Sequence, residues 1–144
     1  MSIVKEDLLS ISPDALAPAA TEAKAEAVGV TKASMGGAKC FVSAMLAGAF
    51  IGFGGMYFCT FLGDTTMAFG VQRLVGGLCF CLGLCLVLCC GAELFTGNVL
   101  MVCAKASKKI SLAGLLRNWG IVWVGNLAGS LVALAIIYMS NLQA

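Results

Sequence analysis

A carboxylate, a hydroxyl and an amide lie close together in the sequence, inside a long run of apolar residues. Glu93, Thr96 and Asn98 carry these groups, and Gly91 and Gly97 lie among them. Such groups can bind an ion or a small polar solute. An ionised carboxylate in lipid costs several kcal/mol unless it is paired, hydrogen-bonded or protonated, so an intramembrane carboxylate is a candidate functional site.

The element that carries these groups is predicted to be a broken helix. From Leu74 to Ala104 the only charged residue is Glu93. As one continuous helix this segment would be about 46 Å long, well beyond a hydrocarbon core of about 30 Å. Irregular backbone at membrane depth is tolerated where it is buried in protein or lines a watery cavity, and discontinuous helices form the binding sites of transporters. The sequence therefore favours a solute pathway, with the break at residues 91–97.

Two roles are open for Glu93. Its carboxylate accepts hydrogen bonds from loop N–H groups freed by the break, or it pairs with a basic group or takes part in proton movement. We favour the first role, because a break leaves orphan donors that need an acceptor. Thr96 and Asn98 are residue types that cap helix N-termini. The half-helix after the break is therefore predicted to turn its N–H groups and positive dipole end toward the pore, where they attract anions.

Four apolar side chains near the break are candidates for narrow points of the pathway. Leu94 and Phe95 lie within the break, and Phe80 and Leu84 are one turn apart on the preceding half-helix. Ordinary packing against lipid or protein explains the same spacing, and periodicity alone favours that explanation.

The composition is that of an integral membrane protein. Of 144 residues, 60% are hydrophobic and 11% are charged, whereas soluble domains have about 25% charged residues. The chain has no histidine, which excludes imidazole metal ligation and a histidine general base within it. Cys81, Cys85 and Cys89 share a helix face, which suggests a metal or redox site, but free cysteines that pack as small apolar residues are favoured. The chain is predicted not to be an enzyme and to bind no cofactor, metal or nucleic acid.

Three membrane spans are predicted, at about residues 40–63, 74–104 and 118–139. Four basic residues precede the first span, one lies between the first and second, four lie between the second and third, and none follows Arg117. By the positive-inside rule this distribution places the N-terminus and the second loop in the cytoplasm, with the first loop and the C-terminus outside.

Residues 1–37 are predicted to form a cytoplasmic tail with a short helix, and residues 38–144 a membrane domain. Ser12 followed by Pro13 is typical of a helix start. Apolar residues follow at helical spacing, namely Leu16, Ala20, Ala23 and Ala27. The tail lacks the basic start and the adjoining apolar stretch of a secretory signal. A partly frayed tail is the alternative.

Two spans carry glycines four residues apart. Gly48 and Gly52 lie in the first span, and Gly125 and Gly129 in the third. Small residues at this spacing let helix backbones approach closely in lipid. An interface between helices or subunits and a generic glycine-tolerant membrane helix are about equally favoured.

The chain resembles the N-terminal half of the formate/nitrite transporter family, from about residue 15 to its end. Several motifs occur in the order and at the spacing of that family. They are the segments LVGGLCF at 74–80, GAELFTGN at 91–98, AKAS at 104–107, NW at 118–119 and GNLAG at 125–129.

The resemblance implies an all-α membrane protein with an aquaporin-like fold, of which this chain is half. In the family, six membrane helices form two inverted repeats, each with a helix broken by a re-entrant loop, and the subunits assemble as pentamers in the plasma membrane, which for this chain is expected to be a bacterial inner membrane. The family moves small monovalent anions such as formate, nitrite or hydrosulfide, in some cases with a proton. By resemblance, Thr96 faces the substrate, Leu84, Leu94 and Phe95 contribute to a cytoplasmic constriction, and Phe80 contributes to an external one.

The resemblance also implies a second repeat, which holds the family's central pore histidine and which these 144 residues do not contain. A truncated gene, a partial reading or a split partner is the expectation. Two hypotheses of different class follow: a channel-like anion transporter subunit, and a non-transporting fragment or half-subunit that needs a partner with the second repeat. A membrane enzyme subunit is disfavoured, because no histidine and no clear set of cofactor ligands is present.

Overall fold

The fold was obtained as a computed structural model, in which residues 16–63 and 66–140 are described. These residues form six helices. In chain order they are α1 Pro18–Ala33, α2 Gly37–Gly63, α3 Phe69–Cys89, α4 Phe95–Asn98, α5 Met101–Ala106 and α6 Leu112–Met139. The predicted helix start at Ser12 and Pro13 lies outside the described residues, and the observed helix begins at Pro18, which occupies its first turn.

Helices α2, α3 and α6 are each long and apolar enough to cross a membrane. This confirms the prediction that the described residues are all helical, with three helices of membrane-spanning length. Helix α6 begins six residues before the predicted start at Asn118. The hydroxyl of Ser111 caps it by accepting a hydrogen bond from the N–H of Gly114 at 3.0 Å. Arg117 was assigned to the loop because of its charge, but it is an exposed residue of the helix.

Helix α2 packs between α3 and α6 along two glycine seams. Against α6, a Cβ on Gly48 would lie 2.8 Å from the carbonyl carbon of Asn126. Against α3, a Cβ on Gly83 would lie 2.8 Å from the carbonyl oxygen of Phe50. Real Cβ atoms do not come this close to backbone atoms, so glycine is required at these crossings. The paired glycines of the first and third spans therefore form a helix interface within the chain, as one of the two sequence interpretations proposed.

Helix α3 ends in a Schellman motif. The non-helical residues 90–94 that follow, between α3 and α4, are called the polar segment. Gly91 adopts a positive φ of 60°, which glycine tolerates without strain. The N–H of Gly91 donates to the carbonyl of Leu88, and the N–H of Ala92 donates to the carbonyl of Val87. These two hydrogen bonds satisfy carbonyls that a helix end leaves free, so the chain leaves the helix without orphaned backbone groups there.

The N-terminal helix α1 docks on α5 and on the loop after it. A Cβ on Gly29 would lie 2.9 Å from the Cβ of Ala104, so the two helices are in close contact. The carboxylate of Glu26 accepts hydrogen bonds from the hydroxyl of Ser107 and from the ammonium of Lys109. These contacts place α1 and the loop at 107–109 at the same end of the molecule.

The Glu26 contact makes the docking of α1 dependent on pH. The hydrogen bonds from Lys109 and Ser107 hold the pKa of Glu26 below its usual value. The stabilisation is therefore complete above the ordinary glutamate pKa of about 4.3 and is lost as the pH falls through the lower pKa of the folded state. We expect hydrogen exchange of α1 amides, corrected for the intrinsic effect of pH, to accelerate on acidification, and Glu26→Gln to accelerate it at neutral pH. The control is Glu22→Gln, because Glu22 is exposed on the same helix; equal pH profiles for wild type and Glu26→Gln would contradict the prediction.

Candidate functional site

The polar segment between α3 and α4 is held by side chains from α2 and α6. The N–H of Glu93 donates to the Oγ of Ser43 at 3.2 Å. The N–H of Phe95 donates to the Oδ1 of Asn126 at 2.9 Å, and the Nδ2 of Asn126 donates to the carbonyl of Glu93 at 2.9 Å. Backbone groups in this non-helical segment are therefore satisfied by side chains of the spanning helices.

The carboxylate of Glu93 is buried and paired. Its Oε2 accepts hydrogen bonds from the Nζ of Lys32 and from the Nδ2 of Asn98, both at 2.7 Å. The side chain of Glu93 is 5% exposed and that of Lys32 is 19% exposed. We expected Glu93 to accept hydrogen bonds from N–H groups of the loop. This expectation is wrong, because the donors are the side chains of Lys32 and Asn98. Those N–H groups are satisfied by Ser43 and Asn126, and the carboxylate pairs with a basic group, which was the alternative role.

Asn98 connects this ion pair to α6. Its Nδ2 also donates to the Oδ1 of Asn118 at 2.8 Å, and its Oδ1 accepts from the Nζ of Lys32 at 2.8 Å. The indole N–H of Trp119 donates to the carbonyl of Asn98 at 2.9 Å. Asn98 is fully buried. A buried polar group is stable only when its hydrogen bonds are made, and this network makes them for both the amide and the carboxylate.

The predicted capping role of Thr96 and Asn98 is wrong. The residue before α4 is Leu94 and the residue before α5 is Leu100, and neither helix has a side-chain cap. Thr96 lies within the four residues of α4, where a capping geometry is not available, and the amide of Asn98 is engaged by the buried network. The first N–H of α4, that of Phe95, is taken by Asn126 rather than turned toward a pore.

A cavity of about 630 Å³ lies between α1, the end of α3 and the polar segment. Its lining includes the predicted residues Leu84, Glu93, Leu94 and Thr96, together with Lys32. Thr96 is an exposed residue that lines this cavity together with the ion pair of Lys32 and Glu93. The cavity thus combines an apolar wall with two hydroxyl-bearing residues, Thr31 and Thr96, and one neutralised charge pair. The hydroxyl of Thr31 donates to the carbonyl of Ala27 in its own helix.

The two predicted aromatic residues lie elsewhere. Phe80 packs edge to face on Phe58, with ring centroids 6.3 Å apart. Phe95 packs in the same way on Trp119, with centroids 6.0 Å apart. Neither ring belongs to the lining of the cavity at Thr96. The structure thus brings together Leu84, Leu94 and Thr96, but not Phe80 and Phe95.

A second cavity of about 290 Å³ is also lined by Leu94. It is formed between α2 and α6, and its lining includes Ile51, Asn126 and Ser130. Leu94 lines both cavities. Leu94 is therefore a lining residue that the two cavities share.

Sequence reasoning did not find three residues of the site: Lys32, Asn118 and Asn126. Lys32 was counted only as a charge that sets topology, and its partner is 61 positions away in the sequence. The two asparagines are eight residues apart in the third span, which places them on similar faces of a helix, and that spacing is a usable signal. Polar amides at matching positions of a membrane helix indicate a polar partner inside the protein.

Comparisons with known proteins agree with the resemblance seen in the sequence. Residues 19–144 match the family model described as formate/nitrite transporter. The chain is 45% identical over 129 residues to formate channel FocA of Escherichia coli (strain K12), a match that covers 89% of this chain and 45% of that protein.

Two further relatives show the same pattern. Formate channel FocA of Haemophilus influenzae is 34% identical over 132 residues, covering 91% of this chain and 46% of that protein. A probable formate transporter of Methanothermobacter thermautotrophicus is 39% identical over 117 residues, covering 78% of this chain and 43% of that protein. The chain thus spans about half the length of these relatives.

Proposed function

Because the chain belongs to the formate/nitrite transporter family, a family of membrane channels and transporters, we propose that it forms part of a channel-like pathway for small monovalent anions of the formate type. Nitrite and hydrosulfide are candidates of the same size and charge. The observation that carries the proposal is the cavity that both Lys32 and Thr96 line.

The charges that line this cavity suit weak, reversible binding of an anion rather than tight binding. Two hydrogen bonds from the Nζ of Lys32 go to Glu93 and Asn98, and an ammonium group has three donors. The remaining donor can attract an anion. The carboxylate of Glu93 reduces the net charge, and a site that conducts must bind weakly enough to release its ligand.

We place the chain in the plasma membrane as the first repeat of a six-helix, aquaporin-like subunit that assembles as a pentamer. The interruption between α3 and α4 is then the re-entrant part of the second span. Leu84 and Leu94 form the cytoplasmic constriction together with Phe95, and Phe80 belongs to the external one. The presence of Leu94 in the lining of both cavities supports its part in this arrangement.

The N-terminus and the loop at 105–111 are proposed to be cytoplasmic. The excess of basic residues before α2 and between α5 and α6 supports this orientation. The contact of Glu26 with Ser107 and Lys109 supports placing both segments on one side. The cavity at Lys32 then opens toward the cytoplasm.

Removal of the Thr96 hydroxyl tests the pathway directly. Thr96→Val keeps the shape of the side chain but loses its hydrogen bond to a passing anion, which for a charged partner corresponds to about a tenfold loss. We expect formate uptake into vesicles to fall by about tenfold while assembly and thermal stability are unchanged. Thr60→Val is the matched control, because the Thr60 hydroxyl only donates to the carbonyl of Met56 in its own helix. Unchanged uptake in Thr96→Val would remove Thr96 from the pathway.

A non-transporting fragment, or a half-subunit that needs a partner with the second repeat, is the second candidate. The relatives are about twice as long as the matched segment, and this difference in length supports the second candidate. The experiment that separates the two candidates compares two kinds of vesicle. One contains residues 1–144 alone, and the other contains the complete product of the gene. Formate flux in both preparations supports a self-sufficient subunit, and flux only in a preparation that supplies a second repeat supports the half-subunit.

A further inference from the structure

The side-chain amide of Asn126 holds the backbone on both sides of Leu94. Its Nδ2 donates to the carbonyl of Glu93 at 2.9 Å, and its Oδ1 accepts from the N–H of Phe95 at 2.9 Å. These are the groups immediately before and after Leu94 in the chain. The second N–H of the amide donates to the carbonyl of Ala44 on α2 at 2.8 Å, so one acceptor and two donors are all engaged.

Asn126 itself lies at a close crossing of α2 and α6. A Cβ on Gly48 would lie 2.9 Å from the Cα of Asn126, so the backbones of α2 and α6 touch at this point. The side-chain amide of Asn126 therefore contacts the polar segment from a backbone position that is held by the close packing of α2 and α6. Its hydrogen bonds hold Leu94 in an extended conformation, with φ −100° and ψ 133°, which fixes the direction of the side chain.

We propose that Asn126 is a positioning residue that sets the aperture between the two cavities, through the backbone of Leu94. Around Leu94, Asn126 forms hydrogen bonds only with backbone groups of the chain. Leu94 in turn lines both cavities. A change at Asn126 therefore alters which solutes pass without touching the solute-binding groups Lys32 and Thr96. This inference rests on the proposed function.

The test compares formate with the larger anion acetate, in vesicles that contain the complete product of the gene. Asn126→Leu is close to the same size and removes all three hydrogen bonds. Asn126→Asp keeps an acceptor for the N–H of Phe95 but loses the amide donors to the carbonyls of Glu93 and Ala44. We expect the ratio of formate flux to acetate flux to fall by about tenfold in both variants, the effect of losing buried hydrogen bonds. A purely structural defect lowers the number of active channels and scales both fluxes equally, leaving the ratio unchanged.

Two controls sharpen the result. Val124→Ala removes apolar surface from an exposed residue two positions earlier on α6 and should leave the ratio as in wild type. Leu94→Ala should lower the ratio, and adding Asn126→Leu to it should lower the ratio little further, because the side chain that Asn126 positions is already gone. An unchanged ratio in folded Asn126 variants, or full additivity with Leu94→Ala, overturns the proposal.

A measurement on the wild-type protein covers the case in which the Asn126 variants do not fold. The N–H of Phe95 begins α4, and it should be protected from hydrogen exchange by its bond to Asn126. Exchange at the rate of a free amide overturns the proposal. Absence of formate flux in the wild type contradicts the proposed function instead. The exchange measurement still decides whether Asn126 holds the N–H of Phe95.

Discussion

Replacing Gly129 by alanine is expected to prevent the membrane helices from assembling. The added Cβ would lie 2.7 Å from the carbonyl carbon of Met45 on α2, and closer still to its oxygen. The obstacle is backbone, which cannot rotate away as a side chain can, so α2 and α6 must move apart along their whole contact. We expect a loss of at least about 3 kcal/mol, the upper end of what overpacking costs.

The measurement is the yield of folded protein in the membrane and its melting temperature after extraction in detergent. Gly120→Ala is the matched control on the same helix, because a Cβ there meets nothing within 4 Å. That variant should melt at or slightly above the wild-type temperature, since alanine favours helix by about 1 kcal/mol over glycine. If both variants melt like the wild type, the glycine seam is not required for close packing.

The sequence predicted those parts of the fold that depend on local composition. Three long apolar runs with few charges predict three spans, since each must cover the hydrocarbon core by itself. Gly91 and Glu93 predict an interruption, because a helix through this segment would be too long and would bury a charge. The start of α6 was missed by six residues, because one arginine at a helix end is tolerated where it reaches water.

The candidate site was predicted as a segment but not as a network. Leu84, Leu94 and Thr96 do line one cavity, and Glu93 does belong to it. The partners of Glu93 could not be read from the neighbouring sequence, because Lys32 comes from a helix outside the spans. The local rules for caps favoured Thr96 and Asn98, yet the first N–H of α4 is taken by Asn126, and the amide of Asn98 is engaged by Asn118. The sequence next to the break does not identify these long-range partners.

Lys32→Met is expected to destabilise the protein strongly, because it leaves the carboxylate of Glu93 buried without its cation. Glu93 is 4% exposed, and its other partner is the uncharged amide of Asn98. Removing one member of a buried ion pair costs about 3–5 kcal/mol. The melting temperature of the extracted protein should therefore fall well below that of the wild type. Lys24→Met, on the exposed face of the same helix, should leave it unchanged.

The double variant Lys32→Met with Glu93→Gln separates the structural role of this pair from its role toward anions. Glutamine keeps an acceptor for the N–H of Asn98 and carries no charge, so most of the lost stability should return. Formate flux should stay low, because the ammonium group of the cavity is absent. A double variant that regains both stability and flux would make Lys32 a partner of Glu93 alone. A stable protein without flux would instead support the proposed role of the Lys32 ammonium toward the anion, beyond its pairing with Glu93.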